Sequence, residues 1–311
     1  MPSADLPLAV GPAMKHTGGF DLFIVTLIAA GRLGHDVVGQ AAELCGGAEI
    51  RLIDEGDAVD LLIGPVEDWR GLRDRLEAAL PGIDVVVQRA EERDKRLLVA
   101  DMDSTMIGQE CIDELADFAG KKEEIAAVTE RAMQGEIDFE TALHQRVASL
   151  NGLGVGCLER CRLERVTHNP GARILVQTMR ARGCQALLVT GGFHDFADPL
   201  ASELGFTELR ANWLESIHGH LTGRVTGAIV DAAAKAQALV EVRDRLGLPA
   251  SAVLAVGDGA NDGPMIEAAG LGVSYRGKPR LEAMAAVRIR HNDLTALLWA
   301  QGISKSEWAK A

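Results

Sequence analysis

The stretch 96–108, RLLVADMDSTMIG, constrains this chain more than any other. Four apolar residues at 97–100 run without polar alternation and stop at a polar turn carrying Asp101 and Asp103. Such a run reads as a strand buried on both faces, which calls for a parallel sheet covered by helices. Ligands of open parallel sheets bind beyond the carboxyl ends of the strands, where these two aspartates fall. One carboxylate can serve as nucleophile or metal ligand, and its neighbour two residues on can move a proton. Aspartates after strands are more often solvated turn residues or caps. The chemical reading therefore depends on partners elsewhere in the chain.

Composition limits what those partners can be. A chain of 311 residues is long enough for about two domains. The formal charge of −13 argues against a nucleic-acid surface and offers no general attraction for an anion. Any phosphate site must be built locally, from a metal, a lysine and backbone amides. Five cysteines, at 45, 111, 157, 161 and 184, contain no CxxC and cannot all pair, so reduced thiols and a cytoplasmic location are expected. Lys15 and His16 before the apolar run 22–30 loosely imitate a signal peptide. Asp21 breaks the imitation, and the run is too short to span a bilayer, so a buried strand is the better reading.

In chain order, residues 1–18 carry three prolines and read as a leader. A strand over 20–29, a helix over 36–45, strands over 48–54 and 59–65, a helix over 69–80 and a strand over 83–88 follow. This βαββαβ order predicts a ferredoxin-like α+β domain within 1–92. Such a domain can simply pack or dimerise. The charged run 91–96 reads as a solvated linker to a second domain over 93–311. There, helical patterns over 109–119, 123–133, 139–150 and 156–166 make an all-helical insertion, about 108–168, suited to a lid.

The α/β alternation then returns. A helix over 171–182 precedes a buried strand over 186–189 that runs into Thr190-Gly191-Gly192. A hydroxyl and free N–H groups there form a phosphate cradle. Residues 213–226 read as a hairpin, and its His218 and His220 are surface residues more often than metal ligands. A helix over 231–246 carries Lys235, the only lysine between Lys122 and Lys278. After a strand over 252–256 comes GDGANDGPM, 257–265, whose Asp258 and Asp262 suit a hard cation. Strands over 271–274 and 287–289, a helix over 293–300 and a polar tail complete the pattern.

DMDST, TGG, the isolated Lys235 and GDGAND, in this order over roughly 93–295, resemble the haloacid dehalogenase-like (HAD) phosphatases. The resemblance implies a Rossmann-like parallel-sheet core with a small helical cap, and an ACT-type domain before it. It further implies a Mg²⁺-dependent phosphomonoester hydrolase working through an aspartyl-phosphate, with Asp101 as nucleophile and Asp103 as acid and base. Mg²⁺ would be held by Asp101, Asp258 and the Asp103 carbonyl, with Asp262 supporting it. Thr190, Gly191 and Lys235 would hold the phosphoryl oxygens, and Asn261 would sit beside substrate and metal waters.

In the insertion, QECIDELA and RAMQGEIDFETALHQRV (131–147) are similar to family members acting on O-phosphoserine. Glu110 would then meet the ammonium, Arg146 the carboxylate, and Met133 and Phe139 would close over the substrate. A zwitterionic amino acid does need one fixed anion and one fixed cation, the latter best supplied by a bidentate fork. The expected reaction is O-phosphoserine to serine and phosphate, the last step of serine biosynthesis. No nucleic-acid or membrane partner is expected, and the N-terminal domain could form a homodimer. Another small phosphomonoester, or homoserine as phosphoryl acceptor, is the alternative. A response-regulator receiver shares the Asp, Thr and Lys but lacks the aspartate at +2 and the helical insertion. Two residues depart from the family pattern: Thr190 stands where serine is common, and Gly263 where an aliphatic residue is expected.

Overall fold

The computed structural model describes residues 22–133 and 136–310. The expected leader, the first two residues of the expected strand over 20–29 and the Met133 side chain lie outside the described residues.

The N-terminal unit follows the predicted order: β1 (Phe23–Ile28), α1 (His35–Leu44), β2 (Glu49–Asp54), β3 (Ala58–Ile63), α2 (Trp69–Ala79) and β4 (Asp84–Arg89). Its antiparallel sheet runs β2-β3-β1-β4. Strand alternation divides the residues of this sheet between two cores. Val25, Leu27, Leu61, Val85 and Val87 pack with Leu72 and Leu76 of α2. Ile28, Ala58 and Val86 join the core of the second unit instead. The sheet is therefore covered on both faces, once by its own helices and once by the rest of the chain.

The second unit begins with β5 (Leu97–Ala100), followed by the helices α3 (Cys111–Phe118), α4 (Lys122–Met133), α5 (Phe139–Ala148) and α6 (Gly156–Arg165). Then come α7 (Ala172–Ala181), β6 (Gln185–Phe193), α8 (His194–Leu204), β7 (Glu208–Ile217), β8 (His220–Thr226) and α9 (Ala232–Arg245). The chain closes with β9 (Val253–Gly257), α10 (Gly263–Ala268), β10 (Leu271–Tyr275), α11 (Pro279–Met284), β11 (Val287–Ile289) and α12 (Ala296–Ala300). The sheet order is β11-β10-β9-β5-β6-β7-β8, parallel except for the β7–β8 hairpin. β5 is thus interior, with Leu98 and Ala100 in one core and Leu97 and Val99 in the other. Its unbroken apolar run follows from burial on both faces.

The four helices α3–α6 form the insertion, reached through a narrow neck. Gly108 N–H donates to the Thr167 carbonyl at 3.0 Å, and Asn169 Nδ2 donates to the carbonyls of Thr105 and Ile107 at 2.8 and 3.0 Å. The β7–β8 hairpin braces the far side, since Gly152 N–H donates to the Leu221 carbonyl and Val155 N–H to that of Gly219.

Packing overturns one expectation. The run 91–96 is not a solvated linker. Arg93 forks onto Asp60 (2.5 and 2.8 Å) and also donates to the carbonyls of Trp299 and Ala300. Lys95 is buried and donates to the carbonyls of Glu92 and Ser251. These cations look solvated in sequence because Arg93 finds its partners on β3 and at the end of the chain, and Lys95 reaches the Ser251 carbonyl just before β9. The polar tail also packs: Ile303 is buried, and Trp308 lies 5.0 Å from Trp299, centroid to centroid.

Arg93 and Asp60 form an ion pair between the two units, with side chains 16% and 6% exposed. Arg93→Ala would leave the Asp60 carboxylate buried beside Thr26 without its counter-charge, at a cost of about 3–5 kcal/mol. Urea unfolding should show that loss, and adding Asp60→Asn should recover part of it because the stranded charge is gone.

Candidate active site

Parallel pairing sets the site. Ala100 lies beside Val256 on one flank and Leu188 on the other, so the residues that follow Ala100, Leu188 and Val256 converge at one sheet end. Asp101 leaves β5 with its N–H donated to the Val256 carbonyl at 3.0 Å. Asp258 follows β9 directly. Asp231 caps α9 by accepting from Ala234 N–H, and Lys235 then falls on the buried side of the first turn.

Lys235 Nζ lies 2.7 Å from Asp101 Oδ1 and 2.8 Å from Asp262 Oδ1, and all three side chains are buried. The second Asp262 oxygen accepts from the N–H groups of Asp258 and Gly259 at 3.1 and 3.0 Å. Asp262 therefore braces both the lysine and the loop that presents Asp258. A side chain at Gly257 would start 2.4 Å from the Asp262 carboxylate, so only glycine lets the loop fold back this tightly. Gly263, one of the two departures, has a packing reason: the Met284 methyl occupies the place a β-carbon would need.

The charges are concentrated. Asp101, Asp258 and Asp262 offer carboxylate oxygens within 4.8 Å of one another. Burial and then the Asp262 charge push the Asp101 carboxyl well above its usual range, against the pull of Lys235. The same two causes raise Asp258 to about 6. Burial works against the Lys235 ammonium, but Asp101 and Asp262 outweigh it and hold the lysine protonated. Asp103 is raised to about 7 by burial and then by Glu110, while hydrogen bonding from Cys111 opposes the rise. Cys111 N–H donates to Asp103 Oδ1 at 3.3 Å.

The β6 end supplies the third side. The Thr190 hydroxyl is buried and accepts from Gly192 N–H at 2.9 Å. A β-carbon on Gly192 would lie 2.7 Å from Met102 Cε and 3.1 Å from Asp103 Oδ2, so this glycine makes room for Asp103. Asn261 is half-buried in the turn between Asp258 and Asp262. From the insertion, Phe139 reaches Gly191, where a β-carbon would meet its ring edge at 3.2 Å. The same ring lines a cavity of about 600 Å³ shared with Asp138, His144, Ile229 and Asp231. Glu110, at the start of α3, is half-buried. Arg146 of α5 is half-buried too; burial lowers its pKa, and the charges of Asp113, Glu110 and Asp103 act against that fall. His218 and His220 sit exposed at the hairpin tip, apart from this cluster.

Three contributors escaped the sequence reading. Asn212, buried on β7, donates to the Gly191 carbonyl at 2.8 Å and accepts from Val230 N–H at 2.9 Å, tying the TGG turn to the approach of α9. Asn169 holds the neck. Ser104 adopts φ +54° and donates to Glu110 at 2.7 Å. Nothing local marks Asn212 or Asn169, whereas Ser104 stands inside DMDST and could have been questioned.

A family profile for haloacid dehalogenase-like hydrolases matches residues 95–270. A Streptomyces coelicolor protein named phosphoserine phosphatase is 43% identical over 254 residues, covering 80% of this chain and 62% of that protein. A Polaromonas phosphoserine phosphatase is 44% identical over 225 residues, covering 70% of this chain and 95% of its own length. The crystal structure of a probable phosphoserine phosphatase from Vibrio cholerae superimposes with a TM-score of 0.72 at 32% identity, covering 90% of this chain and 88% of that one. The chain thus spans less than two thirds of the Streptomyces relative and nearly all of the Polaromonas one.

Proposed function

The chain belongs to the haloacid dehalogenase-like hydrolases, and from that premise we propose that it hydrolyses O-phosphoserine to serine and phosphate as the last step of serine biosynthesis. The observation that carries the reading is the placement of two charge systems at one sheet end. Asp101, Lys235, Asp258 and Asp262 form a buried cluster suited to phosphoryl chemistry. From the insertion, Glu110 is held by Ser104 of the turn after β5 at 2.7 Å, and Arg146 of α5 would bring the cation.

Asp101 attacks phosphorus in line, breaking the bond to the serine oxygen and forming an aspartyl-phosphate. Asp103 gives its proton to the departing oxygen, then takes one from the water that hydrolyses the acyl phosphate. Lys235, Thr190 and the Gly191 N–H hold the phosphoryl oxygens, and Asn261 flanks them. Glu110 meets the ammonium and Arg146 the carboxylate. Phe139 closes over the substrate against Gly191. Positioning and charge stabilisation supply most of the rate, as in phosphoryl transfer generally.

Three buried carboxylates, two of them paired with Lys235, suit a hard cation with oxygen ligands, and Mg²⁺ meets that requirement. Asp101, Asp258 and the Asp103 carbonyl would hold it. Asp262 would support it from behind, because its own oxygens are already engaged by Lys235 and two N–H groups. When bound, the metal offsets repulsion between a carboxylate nucleophile and a phosphate dianion.

Domain limits follow the same reading: an ACT-like unit over 1–92, the phosphatase unit over 93–311 and its cap over about 108–168. Among the described residues no helix is long and apolar enough to cross a membrane, and all five cysteines are unpaired. The proposed setting is a cytoplasmic enzyme acting on a free small molecule and self-associating through the N-terminal unit.

The test is phosphate release from O-phosphoserine and an aryl phosphate, with Mg²⁺ and with excess chelator. Release should favour phosphoserine and stop in chelator. Asp258→Ala should raise the Mg²⁺ concentration for half-maximal rate by about a hundredfold or more, since even outer-shell changes cost 10–100-fold. Full activity in chelator, or an unchanged Mg²⁺ dependence in Asp258→Ala, would reject the metal assignment.

A further inference from the structure

We infer that Ser104 is a positioning residue for amino-group recognition, acting through Glu110; this rests on the reading of O-phosphoserine as substrate. Ser104 occupies the turn between β5 and the insertion with φ +54° and ψ +1°, a left-handed conformation that non-glycine residues seldom adopt. That conformation aims its hydroxyl across the turn, where Oγ donates to Glu110 Oε1 at 2.7 Å. Ser104 N–H meanwhile donates to the Gln109 carbonyl at 3.1 Å, closing the loop that leads to Glu110. Glu110 is the N-cap residue of α3, yet its side chain accepts no bond from that helix. Ser104 therefore supplies the orientation that the helix does not.

The chemistry follows from the donor and acceptor counts. An ionised carboxylate accepts on both oxygens. With Oε1 engaged by a neutral hydroxyl, the charge of Glu110 is kept and Oε2 is left for an incoming ammonium. A serine hydroxyl fixes the rotamer without neutralising the anion, as a lysine or arginine in its place would. A backbone held in an uncommon region at such a point marks a constraint that the surrounding structure maintains. Ser104 has no part in the phosphoryl chemistry proposed above, and its effect would reach the substrate through Glu110.

Ser104→Gly removes the hydroxyl while suiting the left-handed turn, so the fold should be kept or slightly stabilised. Two substrates separate the effects: O-phosphoserine, with ammonium and carboxylate, and 2-phosphoglycolate, with the carboxylate alone. Wild type should prefer phosphoserine. In Ser104→Gly, kcat/KM for phosphoserine should fall about tenfold, the scale of one hydrogen bond to a charged group, chiefly through KM. The loss on phosphoglycolate should be several-fold smaller, so the preference collapses. Ser104→Ala should behave alike, which separates the hydroxyl from the backbone effect. In a Glu110→Gln background, Ser104→Gly should have little further effect on phosphoserine. Equal losses on both substrates, or additive losses with Glu110→Gln, would overturn the positioning role. A wild type with no preference for phosphoserine would reject the substrate reading itself, and the inference with it.

Discussion

Asp101→Asn should abolish phosphate release while leaving the protein folded. An amide is no nucleophile towards phosphorus, and losing a covalent catalyst of this kind costs about 10⁶ in kcat. The fold should survive because Lys235 keeps its ion pair with Asp262 at 2.8 Å. Removing one of the crowded carboxylates even relieves repulsion, since burial and then Asp262 already push Asp101 towards its neutral form. Acid-quenched enzyme should carry a phosphoryl label in wild type and none in the variant, with the thermal midpoint little changed. Wild-type-like turnover, with deamidation excluded by mass spectrometry, would remove Asp101 from the mechanism.

Asp103→Asn should slow turnover by about 10²–10⁴-fold, the range of general acid–base help. The loss should depend on the leaving group. Serine departs as a poor alkoxide and needs the proton, whereas p-nitrophenolate departs without one. With p-nitrophenyl phosphate the variant should therefore release about one equivalent of nitrophenol in a burst and then stall at hydrolysis of the acyl phosphate. Gly192 makes room for the Asp103 carboxylate and Cys111 N–H holds it, so an isosteric amide should sit in the same place. Equal slowing of phosphoserine and the aryl ester, with no burst, would mean that Asp103 serves geometry and not proton transfer.

Much of this site was legible because its elements are local. The strand before Asp101, the glycines around Asp258 and the approach to Lys235 each show in a dozen residues, since periodicity and turn chemistry act over that range. The βαββαβ order of the N-terminal unit was legible for the same reason, and its antiparallel β2-β3-β1-β4 sheet has the arrangement such an order allows. The charged run 91–96 misled because charge in sequence carries no record of burial. Arg93 becomes structural only when β3 and the last helix close over it, and Lys95 only when the turn at Ser251 does.

By itself, then, the sequence determined that two aspartates stand at the end of a doubly buried strand, with glycine-rich turns and one lysine available to join them. Those features follow from side-chain periodicity and backbone permissiveness, which neighbours in the chain dictate. Tertiary structure alone decided how the groups share their charges and bonds. Asp262 spends its oxygens on Lys235 and the Asp258 loop, Asn212 ties the Gly191 carbonyl to Val230, and the two units lock through Arg93 on Asp60 and through Asp84, which accepts from Asn292 N–H at 3.0 Å. Except for the short span from Asp258 to Asp262, these partners lie far apart in sequence. A buried polar group takes whichever partner the fold brings within about 3 Å, and no local pattern encodes that choice.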